Sequence, residues 1–249
     1  MAVWCERDGA SGTAIILLHG LGATGAVWRG VVERLHARLA CTTLVVDLPG
    51  HGASSWHATY SVGEMAAVVA PLAFGLGPLH VIGHSLGTYV GLALASCWFG
   101  CRIASVTGVG PKVTWSDGDR ARMRELATRP TRNCATGEEA LERYRRVSGL
   151  DTVVAPDASV LDRGTVRAAG GHRLAADPAT MAVGAPPFAG LISAAQCPIR
   201  LARGEHDAMV SLAELRLHDP AAVELARFGH NAHVESPGAV VDLFVAAHS

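Results

Sequence analysis

Neither sign of charge prevails in this chain: 21 lysines and arginines face 22 aspartates and glutamates, a formal net charge of -1 at pH 7. Such a balance lacks the basic excess that grips phosphate backbones or anionic lipid, so nucleic acid and membrane surfaces are set aside as partners. A small-molecule partner is favoured. Lysine is nearly missing, with Lys112 the only one, which reads as compositional bias rather than function. No apolar run is long enough to span a bilayer. The opening residues, Met1 to Asp8, carry acidic side chains and lack the basic segment and long apolar stretch of a secretion signal, so a cytoplasmic location is expected. Cysteine is sparse, 6 residues, and only Cys97 and Cys101 lie close together, at helical spacing with no histidine at a zinc-like interval. Buried, reduced thiols and no metal are the expectation.

What the chain does possess is apolar mass arranged in short bursts. At 49% hydrophobic over 249 residues it can bury a sizeable core, in one large domain or a domain with an insertion. Short, largely apolar runs at 14–18, 43–46, 79–82, 104–109 and 199–202 are bounded by turn residues, as parallel strands covered on both faces should be. Helical patterns at 27–39, 62–74 and 86–97 alternate with them, and a strand at 223–228 and a helix at 239–247 close the chain. This alternation predicts an α/β fold, a mostly parallel sheet with helices on both faces.

Residues 111–196 break the rhythm. Arg, Asp, Glu, Pro and Gly rise there, strong strand signals vanish, and 120–126 and 138–147 look like exposed amphipathic helices. An insertion of that kind over a regular sheet is most simply a helical lid. Its basic side chains barely outnumber its acidic ones, too weakly to name a substrate's charge.

Chemistry concentrates at Gly83-His84-Ser85-Leu86-Gly87, directly after the run 79–82 and directly before a helical pattern. A strand that must reverse into a helix within a couple of residues forces its turn residue into strained geometry, and flanking glycines remove the side chains that would clash. The Ser85 hydroxyl is left at the tip. With 28 glycines in the chain such a motif can arise by chance, so partners are required. A serine hydroxyl needs a base within hydrogen-bond reach and a carboxylate to orient that base. Gly204-Glu205-His206-Asp207 follows the run at 199–202, and Phe228-Gly229-His230-Asn231-Ala232-His233 follows the last strand. The order Ser, Asp, His, each at the carboxyl end of a strand, is where crevices form in open α/β sheets.

With these motifs the chain resembles the α/β-hydrolase family over nearly its whole length. His19-Gly20-Leu21-Gly22 resembles the family's oxyanion-loop signature and Asp47-Leu48-Pro49-Gly50-His51-Gly52-Ala53-Ser54 its following turn, so that five motifs occur in family order. The resemblance implies a core of residues 1–110 and 197–249 and a variable helical cap of residues 111–196. Because the first apolar run begins near residue 14, only residues 2–7 can pair ahead of it. A shortened N-terminal edge and about seven strands are expected.

By the same resemblance the histidine after glycine is the base, which selects His230 over His233; His233 would then line the pocket or support its loop. Asp207 is favoured as the acid, with Glu205 a weaker substitute, since Gly110-Pro111 at the family's other acid position offers no carboxylate. Backbone N-H groups of Leu21 and Leu86 are the oxyanion donors by motif position. His19 is expected to brace its loop, and His51 and His84 to be structural. Trp28, His233 and Met209 are candidate substrate contacts, with Trp28 equally suited to the core; Trp115, Met181 and Phe188 are further lining candidates from the lid side. The expected activity is a cofactor-independent serine hydrolase acting on a small or medium carboxylic ester or lactone through an acyl-enzyme. Thioester hydrolysis, carbon-carbon bond hydrolysis, or a slow-turnover small-molecule receptor on the same fold are the alternatives, and oligomeric state stays open.

Overall fold

The computed structural model describes residues 2–9, 12–155 and 158–247. Met1, Ala10, Ser11, His248 and Ser249 of the expected core, and Pro156 and Asp157 of the expected cap, lie outside the described residues. In chain order the elements are β1 (Trp4–Asp8), β2 (Thr13–Leu18), α1 (Arg29–Arg38), β3 (Cys41–Asp47), α2 (Val62–Val69), β4 (Leu79–His84), α3 (Leu86–Ala95) and β5 (Ile103–Val109). There follow α4 (Asp117–Ala127), α5 (Gly137–Val147), β6 (Thr165–Ala168), β7 (Gly171–Leu174) and α6 (Phe188–Ala194). Finally come β8 (Ile199–Gly204), α7 (Leu212–Arg216), β9 (Val223–Leu225), α8 (Ala232–Glu235) and α9 (Pro237–Ala246).

One 7-stranded sheet runs β1-β3-β2-β4-β5-β8-β9. Only β1 is antiparallel, pairing Trp4 to Asp47 and Asp8 to Thr43; the other pairings are parallel. The short N-terminal edge expected from the early start of the second strand is this β1. Period-two alternation divides each strand between two cores. In β2, Ile16 and Leu18 join the cluster under α2 and α3, while Ile15 and Leu17 join that under α1 and α9. All four are fully buried, each worth about 1.5–3 kcal/mol of transfer free energy. Helix α3 is buried at every position, which is why its sequence is apolar all round.

Segment 111–196 opens with two capped helices. Ser116 and Asp119 form a reciprocal capping box at α4, and Thr136 accepts the Glu139 N-H at 3.1 Å to start α5. The expectation that strands vanish here is corrected by the hairpin β6–β7, whose reversal at Gly170 and Gly171 uses φ of +82° and +136°. Strands of 4 residues leave too little alternation to register in the sequence. Beyond the hairpin the chain is sewn onto the turn after β3: Gly52 N-H donates to Ala175 at 2.6 Å, Asp177 N-H to Gly50 at 2.8 Å, and Tyr60 Oη-H to Asp177 at 2.8 Å. Among the cysteines Cys97 departs from the expected burial. It reverses the chain after α3 with φ of +65°, which turns its side chain outward.

Candidate active site

Strand β4 passes into α3 through Ser85 alone, at φ +47° and ψ -112°, a region an L-residue occupies only under constraint. The constraint is visible. Ser85 N-H donates to Val109 of β5 at 2.9 Å, and Thr88 Oγ1-H ties the first turn of α3 back to Gly83 at 3.0 Å. The flanking glycines are required by close approach: a Cβ on Gly83 would lie 2.6 Å from the Gly87 carbonyl carbon, and one on Gly87 only 1.9 Å from the Leu18 carbonyl oxygen. The elbow is thereby pressed against the end of β2, from which the Gly20-Leu21-Gly22 loop departs. Leu86 is the first residue of α3, so its N-H has no acceptor within the helix.

Asp207 follows β8 and is almost wholly buried. Its Oδ2 accepts the His230 Nδ1-H at 2.9 Å and its Oδ1 the Met209 N-H at 2.8 Å. The Arg203 guanidinium fixes the loop from beneath, donating to the carbonyls of Asp207 at 2.7 Å and Glu205 at 2.9 Å. Holding the proton on Nδ1 leaves His230 Nε2 with a free lone pair. Gly110 lies against this pair; a Cβ there would stand 3.1 Å from Asp207 Oδ2 and 3.2 Å from His230 Nδ1. Position 110 therefore offers no carboxylate and no room for one. Glu205 instead accepts the Arg227 N-H at 2.8 Å, away from the imidazole.

Ser85 and His230 line one cavity of about 360 Å³, together with Gly20, Leu21, Leu86 and Met209. Its remaining wall is mostly apolar, including Val62 from α2, Met123 and Leu126 from α4, Val147 from α5, and Trp115 and Met181. Size and lining suit a small organic molecule. The segment 111–196 is tied to the base's own loop, because Asn231 Nδ2 donates to Ser148 at 3.2 Å and Gly149 at 2.9 Å. Among the described residues no three His, Cys, Asp or Glu side chains form a metal-binding set. No helix of the described residues is long and apolar enough to cross a membrane.

A family model described as "Alpha/beta hydrolase family" matches residues 15–243, nearly the whole chain. The chain belongs to the alpha/beta hydrolase family. Among curated relatives, a pimeloyl-[acyl-carrier protein] methyl ester esterase of Methylococcus capsulatus is 37% identical over 107 residues, covering 43% of this chain and 40% of that one. The matched stretch thus spans well under two thirds of that relative's length. A 2-succinyl-6-hydroxy-2,4-cyclohexadiene-1-carboxylate synthase of Salmonella heidelberg is 27% identical over 92% of this chain and 91% of its own. Of solved structures, a thioesterase domain from the curacin biosynthetic pathway superposes with a TM-score of 0.79 at 20% identity, covering 98% and 95% of the two chains. The last is a likeness of fold alone.

Behind the cavity this alpha/beta hydrolase stacks aromatic rings that the sequence placed differently. Trp28 and His233, candidate substrate contacts beside the readings of core packing and loop support, are both fully buried and do not line the cavity. The correction has a packing cause: His84 lines the cavity and stacks on His233 at 4.2 Å, and His233 stacks on Trp28 at 4.6 Å. Phe188 likewise packs inward, edge-on to Tyr89 at 5.2 Å and His218 at 5.1 Å. The Trp28 Nε1, His84 Nδ1 and both His233 ring nitrogens find no hydrogen-bond partner among the described residues. Burial therefore pushes His233 down to about 3, helped by repulsion from His230 and His19, and drives His84 well below the ordinary histidine range. His84 Nε2-H donates to the His230 carbonyl at 3.0 Å, joining the elbow to the base's loop.

His19 and His51 hold the Gly20–Gly22 loop from the other side. His19 Nε2 accepts the Leu48 N-H at 2.9 Å while its Nδ1-H faces the Gly20 carbonyl at 2.8 Å. His51 Nε2 accepts the Gly22 N-H at 3.1 Å, with Nδ1 toward the Pro49 carbonyl at 3.1 Å. Both are acceptors at Nε2 and must stay neutral to serve. Burial lowers His19, and burial with repulsion from His19 brings His51 to about 3. A contact the sequence did not reveal is Arg163, whose Nε donates to the fully buried Asp47 at 2.9 Å and whose guanidinium lies over the Trp4 ring at 3.7 Å. Burial opposes ionisation of Asp47, yet Arg163 and the N-H groups of Ala53 and Gly25 outweigh it and hold the carboxyl below its usual range.

Proposed function

We propose that the protein is a serine carboxylic-ester hydrolase working through an acyl-enzyme without a cofactor. The observation that carries this reading is the 2.9 Å bond that His230 Nδ1-H donates to Asp207, with His230 and the strained Ser85 lining the same mostly apolar cavity. His230 Nε2 takes the Ser85 proton as Oγ attacks the ester carbonyl. The N-H groups of Leu21 and Leu86 receive the oxyanion, a donor of this kind lowering the barrier by about 3 kcal/mol. Protonated His230 then gives its proton to the departing alcohol. Water, deprotonated by the same imidazole, attacks the acyl-Ser85 carbonyl and releases the acid. Asp207 steadies the imidazolium in both halves.

In this reading residues 1–110 and 197–249 supply the machinery, and residues 111–196 act as a cap that shapes the substrate space. Likeness to methyl ester esterases over the matched stretch supports an ester over other bonds. The test is turnover of short p-nitrophenyl esters by the wild type beside Ser85→Ala. Saturable turnover that disappears in the variant upholds the esterase. Tight ligand binding with no turnover in either protein would instead make the chain a receptor.

A further inference from the structure

Three of the four side chains with a fixed charge that line the cavity are cations: Lys112, Arg122 and Arg146, against Asp119. Lys112 is already answered, since Nζ pairs with Asp119 at 2.9 Å and lies 5.0 Å from the centre of the Trp115 ring. The arginines are not. Arg122 makes no ion pair among the described residues, and Glu125, one turn along α4, is engaged by Arg129 at 2.6 Å. Arg146 reaches Glu142 only at 3.9 Å, while Arg145 holds that carboxylate at 2.8 Å. Two guanidinium groups, one from α4 and one from α5, therefore border a mostly apolar cavity, Arg122 without an ion pair among the described residues and Arg146 with only the long Glu142 contact and a 3.4 Å bond from its Nε to the Glu142 carbonyl. A guanidinium presents a planar fork of donors that matches carboxylate or phosphate oxygens.

We propose that Arg122 and Arg146 form an anion subsite, and that the substrate is an ester ending in a carboxylate or phosphate remote from the scissile carbonyl. This rests on the esterase reading for its chemistry: the ester C-O bond breaks, and water delivers its hydroxyl to the acyl carbon and its proton to the alcohol. The apolar wall between Ser85 and the arginines takes the connecting chain. A cavity of about 360 Å³ is of a size that takes a small organic molecule, an acyl chain with its terminal anion included. The near balance of charge over the whole chain hides this local excess, because Asp119, Glu125 and Glu139 are engaged by Lys112, Arg129 and Arg132.

The experiment compares kcat/KM for p-nitrophenyl hemiesters of dicarboxylic acids of about six carbons, and for esters ending in phosphate, with neutral p-nitrophenyl alkanoates of equal length. The anionic esters should be favoured about tenfold at low ionic strength, the advantage shrinking as salt rises. Whichever anion gains more identifies the source. Arg122→Gln and Arg146→Gln should each cut the anionic-to-neutral ratio about fivefold, chiefly through KM. Both positions are exposed on helices, so an unchanged melting temperature serves as the folding control. Neutral esters matching the anionic ones, or a double variant that keeps the preference, would overturn the subsite. Should no ester be turned over, calorimetric titration with adipate separates the two ideas. Saturable binding weakened in both variants upholds the subsite while the esterase reading fails, and no binding sinks the subsite as well.

Discussion

Replacing Gly87 with alanine perturbs the joint between the elbow and the loop that offers Leu21. The new Cβ would stand 1.9 Å from the Leu18 carbonyl oxygen, 2.5 Å from its carbon and 2.9 Å from the His19 oxygen, all backbone atoms that no rotamer change can withdraw. Reaching even the 3.0 Å that real Cβ atoms respect requires 3.0 minus 1.9, or 1.1 Å, of separation. That movement parts the N-H of Leu86 from the N-H of Leu21. A misplacement of about 1 Å costs about 100-fold in rate, equivalent to about 2.7 kcal/mol of barrier. It also strains the core by about 1–3 kcal/mol. The assay is kcat for p-nitrophenyl butyrate together with a urea melt. Gly63→Ala is the control, since a Cβ there meets nothing within 4 Å; it should leave kcat alone and gain no more than about 1 kcal/mol of stability. A folded Gly87→Ala enzyme with kcat within about threefold of wild type would refute the reasoning.

Asp207→Asn should keep the fold but lower kcat by about 10⁴, because the amide no longer fixes the Nδ1-H tautomer of His230; stopped-flow turnover of the same ester checks it. Asn231→Ala removes both bonds to Ser148 and Gly149 and should lower kcat/KM about threefold to tenfold, with faster hydrogen exchange at 148–150. His233 is neutral in the native chain down to about pH 3, whereas its unfolded value is 6.5. Above pH 6.5 neither state binds the proton, so stability is intact; as pH falls the unfolded state takes a proton the native state refuses, and stability drops by about 1.4 kcal/mol per pH unit. His233→Leu should therefore match or exceed wild-type stability at pH 7.5 and lose about 2 kcal/mol less by pH 5, measured by thermal melts across that range.

The sheet and the pairing of His230 with Asp207 were legible because their signals are local. The apolar runs mark the strands, and Ser85, Asp207 and His230 each follow one directly, so strand order brings them to one rim. What the sequence withheld depends on long-range packing. Trp28 faces His233 rather than substrate because His84 intervenes, and an aromatic residue after an oxyanion loop looks the same either way. The β6–β7 hairpin left only the Gly170-Gly171 pair as a trace. Arg163 reaches Asp47 across 116 positions of chain, and nothing local marks either residue for the other. The charge around Arg122 and Arg146 is visible only once Lys112 is seen to take Asp119 and Arg129 to take Glu125.

The central claim is that Ser85 is activated by His230, which Asp207 orients. Peptide-mapped labelling with a fluorophosphonate tests it most directly, comparing the wild type with His230→Ala and Asp207→Asn. The account predicts a single adduct, on Ser85, forming at least about 10³-fold more slowly in both variants. An adduct on another residue, or equal labelling rates in all three proteins, would contradict it.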